Sequence, residues 1–284
     1  MNGWAAQLRH RDVLNVRQRE YMPIYKYVSS KSGLRYLESW RLRLSPATAL
    51  NDPFEFELVL SESYEAAVNA RSEALRVQLD NEAGRTIEER SVQCKQANAT
   101  RIIKGVSLTE AIREAYKVSL GVLCLTRTRR HLLMWSHYAD GHRGMLLEFD
   151  DEHTCFRRSI PNTKCQGKLI PVTYSDTRPP VRDESADAIA GSLTTKALEW
   201  AYEQEVRMFL PLSEVGKAAS VDANGAPLHL IDVHPEALMA VTLGCLSTDQ
   251  ASVLRLLRGV AEHVTVMTSR LDAREYRLHY ELLV

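Results

Sequence analysis

The chain reads as an α+β protein built on one mixed sheet, with a single domain at residues 21–284 behind a basic arm at 1–20. Three observations lead there. Strand-like segments are short and scattered, and helical segments of uneven length separate them, unlike the regular alternation of a doubly wound fold. No GxGxxG or GxxxxGK[ST] string occurs. Finally, 284 residues at 45% hydrophobic and 25% charged suffice for one sizeable core without a disulfide or metal staple.

The elements follow in order. Residues 1–20 are polar and arginine-rich. Met22–Ser30 (MPIYKYVSS) has strand composition, Ser32 is placed to cap a short helix GLRYLESW, and Arg41–Ser45 alternates as a strand does. Pro46 and Asn51-Asp52-Pro53 punctuate a loop. From Ser61 to about Arg90 the pattern is helical and highly charged, and Ser107-x-x-Glu110 is a capping box opening a second helix. Together these predict a helical insertion at about 61–118. Gly121–Thr126 (GVLCLT) is a strand of the buried kind, and Arg127–Arg130 is a basic turn. His131–Ala139 is a short amphipathic helix stopped near Gly141, and Met145–Phe149 is a strand. Lys168–Tyr174 predicts a strand, about Asp183–Ala201 a helix, and Gln204–Leu210 a strand. The tail adds a strand at Met239–Gly244, a helix around Gln250–Glu262, a strand at Val264–Thr268 and a last strand near Tyr276–Leu283.

Thirty-six Lys/Arg balance 36 Asp/Glu, so a cationic coat for nucleic acid or an anionic membrane is excluded as a whole-chain property. The charge is uneven: residues 1–50 hold nine bases and three acids (net +6), residues 51–100 five bases and ten acids (net −5). A basic amino-terminal end suits phosphate groups, or is a solvated face balanced by the acidic stretch. No run of ~18 apolar residues marks a membrane span. The five cysteines form no CxxC pair, and Cys124 and Cys245 read as small core residues. MNGWAAQLRHRDVLNV lacks the apolar stretch of a secretion signal, so a cytoplasmic location is expected.

Four constellations carry chemistry. The densest is Met134–Gly144, MWSHYADGHRG, with Trp135, Ser136, His137, Tyr138, His142 and Arg143 crowded together. On a helix Trp135 and Tyr138 share a face able to stack a flat ring, and Gly141 and Gly144 permit close backbone approach; equally, the aromatics are core and the glycines a cap. The second is Glu203-Gln204-Glu205-Val206-Arg207, where a strand would point Glu203, Glu205 and Arg207 to one face and tune an acid or base. An exposed ion pair is the bland alternative. The third is Tyr25-Lys26-Tyr27, the fourth Asn51-Asp52-Pro53-Phe54-Glu55. Metal is not expected: His137, His142 and His153 do not align on a helix, and no HExxH occurs. A GxSxG elbow is absent too.

The YKY strand, NDPFE, MWSHYADGHRG and the block W-x-YE-x-E-x-R (Trp200–Arg207) together resemble a bacterial family known as domain of unknown function 2971, over about Tyr25–Gly244. More weakly, the layout resembles the ADP-ribosyltransferases, most of all the toxin branch that modifies DNA bases. That resemblance implies a split mixed β-sheet gripping NAD. It would give Lys26 the first-strand position that holds ribose or diphosphate, although that position is His or Arg in the pattern. Tyr138 would stack on nicotinamide, and Glu205, with Glu203 as helper, would be the catalytic glutamate. Tyr27, Asn51, Asp52, Trp135, Ser136, His137, His142, Arg143 and Arg207 complete the expected binding set. Implied in consequence are an ADP-ribosyltransferase or NAD glycohydrolase that uses NAD as substrate, and a toxin or phage-defence setting. An acceptor among nucleic acid, protein or water, and an antitoxin or immunity partner, belong to the same expectation. Two alternatives stand beside it: a non-catalytic nucleotide- or nucleic-acid-binding module using the same pocket and the basic residues 9–19 and 127–130, and a metal-dependent nuclease. For the glutamates the sequence predicts an ionised Glu205 beside a base and a more exposed Glu203.

Overall fold

The structure is a computed structural model and describes residues 22–81, 108–159, 166–215, 220–221, 225 and 227–283. The expected arm at 1–20, residues 82–107 of the expected insertion and the capping-box Ser107 lie outside the described residues.

The chain opens with β1 (Pro23–Val28), α1 (Ser30–Ser39), β2 (Arg41–Pro46), α2 (Glu62–Asn81), α3 (Leu108–Ser119), β3 (Leu120–Thr126), α4 (Leu132–Tyr138) and β4 (Met145–Asp150). Four short strands follow: β5 (Arg157–Ser159), β6 (Gln166–Lys168), β7 (Ile170–Pro171) and β8 (Thr173–Ser175). Then come α5 (Ala186–Leu193), β9 (Thr195–Ala197), a 3-10 turn at Leu198–Glu203, and β10 (Glu205–Pro211). The remainder is β11 (Ser220–Val221), β12 (Pro227–Asp232), β13 (Leu238–Leu243), α6 (Gln250–Leu257), β14 (Thr265–Leu271) and β15 (Leu278–Leu282).

Most expected elements are present, but the strand expected over Lys168–Tyr174 is broken into short pieces, β12 is a strand that the sequence reading lacks, and the stretch 183–201 also differs. Ser185 caps the helix there by accepting from the Ala188 amide at 3.2 Å. The helix ends early because Thr194 and Thr195 donate their hydroxyls back to the carbonyls of Ala190 and Gly191, both at 2.7 Å, and β-branched residues favour extended backbone. Thr195–Ala197 then becomes a strand paired in parallel with β8.

Eleven strands form one mixed sheet in the order β11-β12-β2-β3-β1-β4-β13-β14-β15, with β10 and β7 branching from it. Its only parallel pair among the described residues is β13 with β14, joined through α6. The branch lies at β3. One edge of β3 pairs along its whole length with β10, from Glu205↔Thr126 to Pro211↔Leu120. Two strands share the other edge: β1 meets it at Thr126 and β2 meets it at Gly121 and Val122. The sheet is therefore split between β1 and β2. Inside the split the Lys26 ammonium donates to the Cys124 carbonyl at 2.8 Å, which supplies a partner that strand pairing does not.

The two faces of the sheet have different work. Ile24, Val28, Leu123, Leu125, Leu147, Val206 and Met208 belong to the main core with Leu37 of α1 and Val253 of α6. By alternation Tyr25 and Tyr27 face the other way, and there they pack with Met134 and Trp135 of α4.

Gly144 follows α4, and a Cβ on it would stand 2.1 Å from the Val28 carbonyl oxygen and 2.9 Å from that of Ala139. The close approach expected of this glycine is thus to the protein's own backbone and not to a ligand.

Candidate functional site

Directly opposed residues on antiparallel strands share a face. The register Tyr25↔Thr126↔Glu205 and Cys124↔Arg207 therefore puts tyrosine, threonine, cysteine, glutamate and arginine side by side on the α4 face. There a cleft of about 250 Å³ opens at the split. Its lining includes Tyr25, Lys26, Tyr27, Asn51, Glu55, Cys124, Thr126, Tyr138, Lys196, Glu203 and Glu205. Residues from β1, the loop after β2, β3, α4, β9 and the start of β10 meet there although Tyr25 and Glu205 stand at opposite ends of the sequence that supplies them.

Glu203 and Glu205 do not share a strand face, as the sequence suggested. Glu203 ends the 3-10 turn, Gln204 takes left-handed backbone at φ 43°, and β10 begins at Glu205. That one left-handed residue lets both carboxylates enter the cleft wall. Glu203 accepts the Tyr138 hydroxyl at 2.5 Å and the Lys196 ammonium at 2.7 Å. Glu205 is gripped by Arg207, whose Nε and Nη2 donate to its two oxygens, each at 2.8 Å. The Glu205 amide donates to the Tyr174 hydroxyl at 2.7 Å. Arg207 also donates to the Leu193 carbonyl at 2.9 Å and pairs with Glu55. Lys196 lies 3.5 Å from both Glu55 and Glu205 and sits over the Trp200 ring at 4.5 Å.

Three carboxylates and two cations thus form one buried network. Glu203 is not the more exposed of the pair: relative exposures are 3% for Glu203 and 6% for Glu205. Burial works to raise the Glu205 carboxyl, but the Arg207 guanidinium and then Lys196 outweigh it and hold Glu205 below the usual range. Glu55 goes the other way, raised by burial beyond what Arg207 and Lys196 offset. Burial also raises the Tyr138 hydroxyl, with the Glu203 hydrogen bond and charge adding to it. Tyr174 is pushed up to about 12, chiefly by burial. The Lys26 ammonium is lowered by burial despite the Cys124 thiol and Glu205 nearby.

The remaining expected residues divide. Asn51 reaches the cleft and donates to the Tyr138 hydroxyl at 3.3 Å. Asp52 is buried outside the lining and accepts from the Phe54 amide at 2.9 Å, which makes it a turn residue. Tyr27 lines the cleft but packs edge-on against Trp135, with ring centroids 5.2 Å apart. Trp135 is fully buried, donates to the Tyr280 hydroxyl at 3.3 Å and lies flat against His142, so it is core and has no free face for a nicotinamide. Ser136 and Arg143 are exposed and outside the lining, and His137 meets the Tyr202 hydroxyl at 3.2 Å. Arg207 stands behind Glu205 and does not line the cleft. Burial lowers the pKa of His142, which also lies away from the cleft. In the basic turn, Arg127 is bound to Asp151 at 2.7 Å and Arg129 lies over the rings of Tyr25 and Tyr280; Arg130 is the exposed one.

Sequence reasoning missed Lys196, hidden in a segment that read as a helix surface, and left Glu55 without a role. It also read Cys124 as core; the residue is half-buried and lines the cleft, and burial pushes its thiol up. Among the described residues no cluster of three His, Cys, Asp or Glu is arranged to hold a metal.

Part of the cleft wall falls within one continuous segment. Residues 134–208 match the family described as Protein of unknown function (DUF2971). This is the family that the MWSHYADGHRG and W-x-YE-x-E-x-R segments resemble, and the matched stretch contains Tyr138, Lys196, Glu203, Glu205 and Arg207. Among curated proteins and solved structures there is no match. No described helix is long and apolar enough to cross a membrane.

Proposed function

We propose that the cleft binds NAD and that the protein is an ADP-ribosyltransferase-like enzyme. It would break the bond between nicotinamide and ribose and pass the ADP-ribosyl group to an acceptor or to water. Nicotinamide leaves with the bonding electron pair, the acceptor attacks the same ribose carbon, and the acceptor's proton is released. One observation carries the reading: Lys26, Tyr138 and the Glu203–Glu205 pair, remote in sequence, line one cleft at the split of the sheet.

The contacts favour a different division of labour from the one the sequence suggested. Both Glu205 oxygens are held by Arg207, so Glu205 acts as a positioning residue that fixes the start of β10. Glu203 presents its carboxylate beside the Tyr138 hydroxyl, where a cationic ribose would develop, and electrostatic placement of this kind is usually the largest catalytic contribution. Lys26 supplies the cation for phosphate or ribose oxygens. A toxin or phage-defence role, and an antitoxin partner, belong to the same proposal.

One observation favours a second reading, a nucleotide-binding module without catalysis: every carboxylate of the network already has a protein cation within 3.5 Å. Incubation with NAD, followed by chromatography for free nicotinamide and calorimetry for binding, separates the two. Release that falls ~10²-fold or more in Glu203→Gln, with the fold intact, supports the enzyme. Binding without release supports the module, and neither binding nor release refutes the NAD reading.

A further inference from the structure

The outer strand of the sheet beyond β14 is β15, Leu278–Leu282, and its sequence is Leu-His-Tyr-Glu-Leu. Among the described residues β15 pairs with β14 alone, so its other edge carries unpaired main-chain donors and acceptors. Such an edge templates another strand unless it is blunted.

Register fixes which groups face outward. The Leu283 amide donates inward to the Val266 carbonyl at 2.8 Å, next to the pair Met267↔Leu282. Inward and outward groups alternate along an antiparallel strand. Leu278, Tyr280 and Leu282 therefore point their N–H and C=O groups away from β14, whereas His279 and Glu281 point theirs toward it.

We propose that β15 pairs with β15 of a second copy of this chain, antiparallel and two-fold symmetric about Tyr280. This inference is independent of the NAD reading. The five residues form a palindrome in the sense that counts here. Leu278 falls opposite the partner's Leu282, Tyr280 opposite the partner's Tyr280, and Leu282 opposite the partner's Leu278. These are the three positions with outward backbone groups, so they form the hydrogen-bonded pairs. His279 falls opposite the partner's Glu281, and Glu281 opposite the partner's His279, in the non-hydrogen-bonded pairs where side chains approach most closely. Imidazole thus meets carboxylate twice, and no like-charge pair arises. His279 and Glu281 are both exposed, and they already sit beside Asp272 (2.5 Å) and Arg270 (2.9 Å) within the chain, which holds them on the outer surface. Exposed apolar side chains flank the edge: Leu282 is 70% exposed, Leu271 68% and Tyr276 99%. A second copy is the partner because the strand is complementary to itself, which is what an isologous interface requires.

The pairing also reaches the site. The Tyr280 hydroxyl accepts from the Trp135 indole at 3.3 Å and donates to the Arg129 carbonyl at 2.8 Å, so fixing β15 steadies the helix that carries Tyr138.

A five-residue strand pair lies at the small end of interfaces, below ~1,200 Å², so the dimer is a concentration-dependent one. Light scattering coupled to gel filtration, and sedimentation, on the full chain from about 1 µM to about 500 µM read it out. The expected result is a shift from the 32.2 kDa monomer to twice that mass. Leu282→Pro removes an outward N–H at an edge position that tolerates proline, and should abolish the dimer. His279→Glu places carboxylate opposite carboxylate and should do the same, while His279→Glu with Glu281→Lys restores opposite charges and should restore the dimer. A chain that stays monomeric throughout the range overturns the proposal. So does a dimer indifferent to both Leu282→Pro and His279→Glu, which would use another surface, and so does failure of the double variant to recover.

Discussion

Arg207 is 1% exposed and holds two buried carboxylates and a carbonyl at once. Arg207→Met keeps most of the volume and removes the charge. Of the two cations paired with Glu55, Glu203 and Glu205, Lys196 then remains. Breaking a buried pair by deleting one partner destabilises by about 3–5 kcal/mol, because the orphaned charge stays buried. For a chain of this size each kcal/mol shifts the melting temperature by about 2–4 °C, so the variant should melt roughly 6–20 °C lower at neutral pH. The pH dependence has a definite sign. Glu205 is held below its unfolded value of about 4.3 despite burial, because Arg207 and Lys196 favour its charged form. Its contribution is therefore present above that unfolded value and is lost as pH falls through the depressed folded one. The variant has lost it already at neutral pH, and protonation relieves its unpaired carboxylates, so the gap from the unsubstituted protein should narrow as pH falls from 7 toward about 4. Thermal melts by circular dichroism across this range measure both effects. A melting temperature within about 2 °C of the parent at pH 7, or a gap that widens on acidification, refutes the reasoning.

Gly144→Ala should be strongly damaging, because its methyl would lie 2.1 Å from the Val28 carbonyl oxygen, on backbone that cannot step aside; chemical denaturation should show a loss of about 1–3 kcal/mol or more. Asp52→Ala should cost about 0.5–1.5 kcal/mol through the lost turn hydrogen bond and leave ligand binding to the cleft unchanged, whereas a specific loss of NAD binding at unchanged stability would put Asp52 back in the site.

How much was legible turns on particular residues. The strands of the main core announced themselves through runs such as GVLCLT and MLLEF, which are buried because both sheet faces are covered there. Tyr138, Lys26 and the glutamates stood out because polar residues in apolar strand and helix contexts need a reason. Lys196 did not, since one lysine in Asp183–Ala201 looks like a helix surface until Thr194 and Thr195 break that helix. Trp135 misled for the opposite reason. An indole next to histidine and tyrosine suits a ligand or a core equally well, and only packing against Tyr27, His142 and Tyr280 decides it. Glu203 and Glu205 were placed on one strand because two-residue spacing implies it, and the left-handed Gln204 is invisible in the sequence, where glycine or asparagine would have flagged it.

The split of the sheet has a kinetic consequence. Since β1 is zipped to β4 over six residue pairs and β2 to β12 over four, while β3 between them is zipped to β10 over seven, the walls of the gap belong to rigid ladders. A ligand entering between them finds its hydrogen-bonding groups already aimed and orders little chain on arrival, so association need not wait for a closing step. Rates should scale linearly with ligand concentration and show no saturating slow phase, as docking into a preformed slot does.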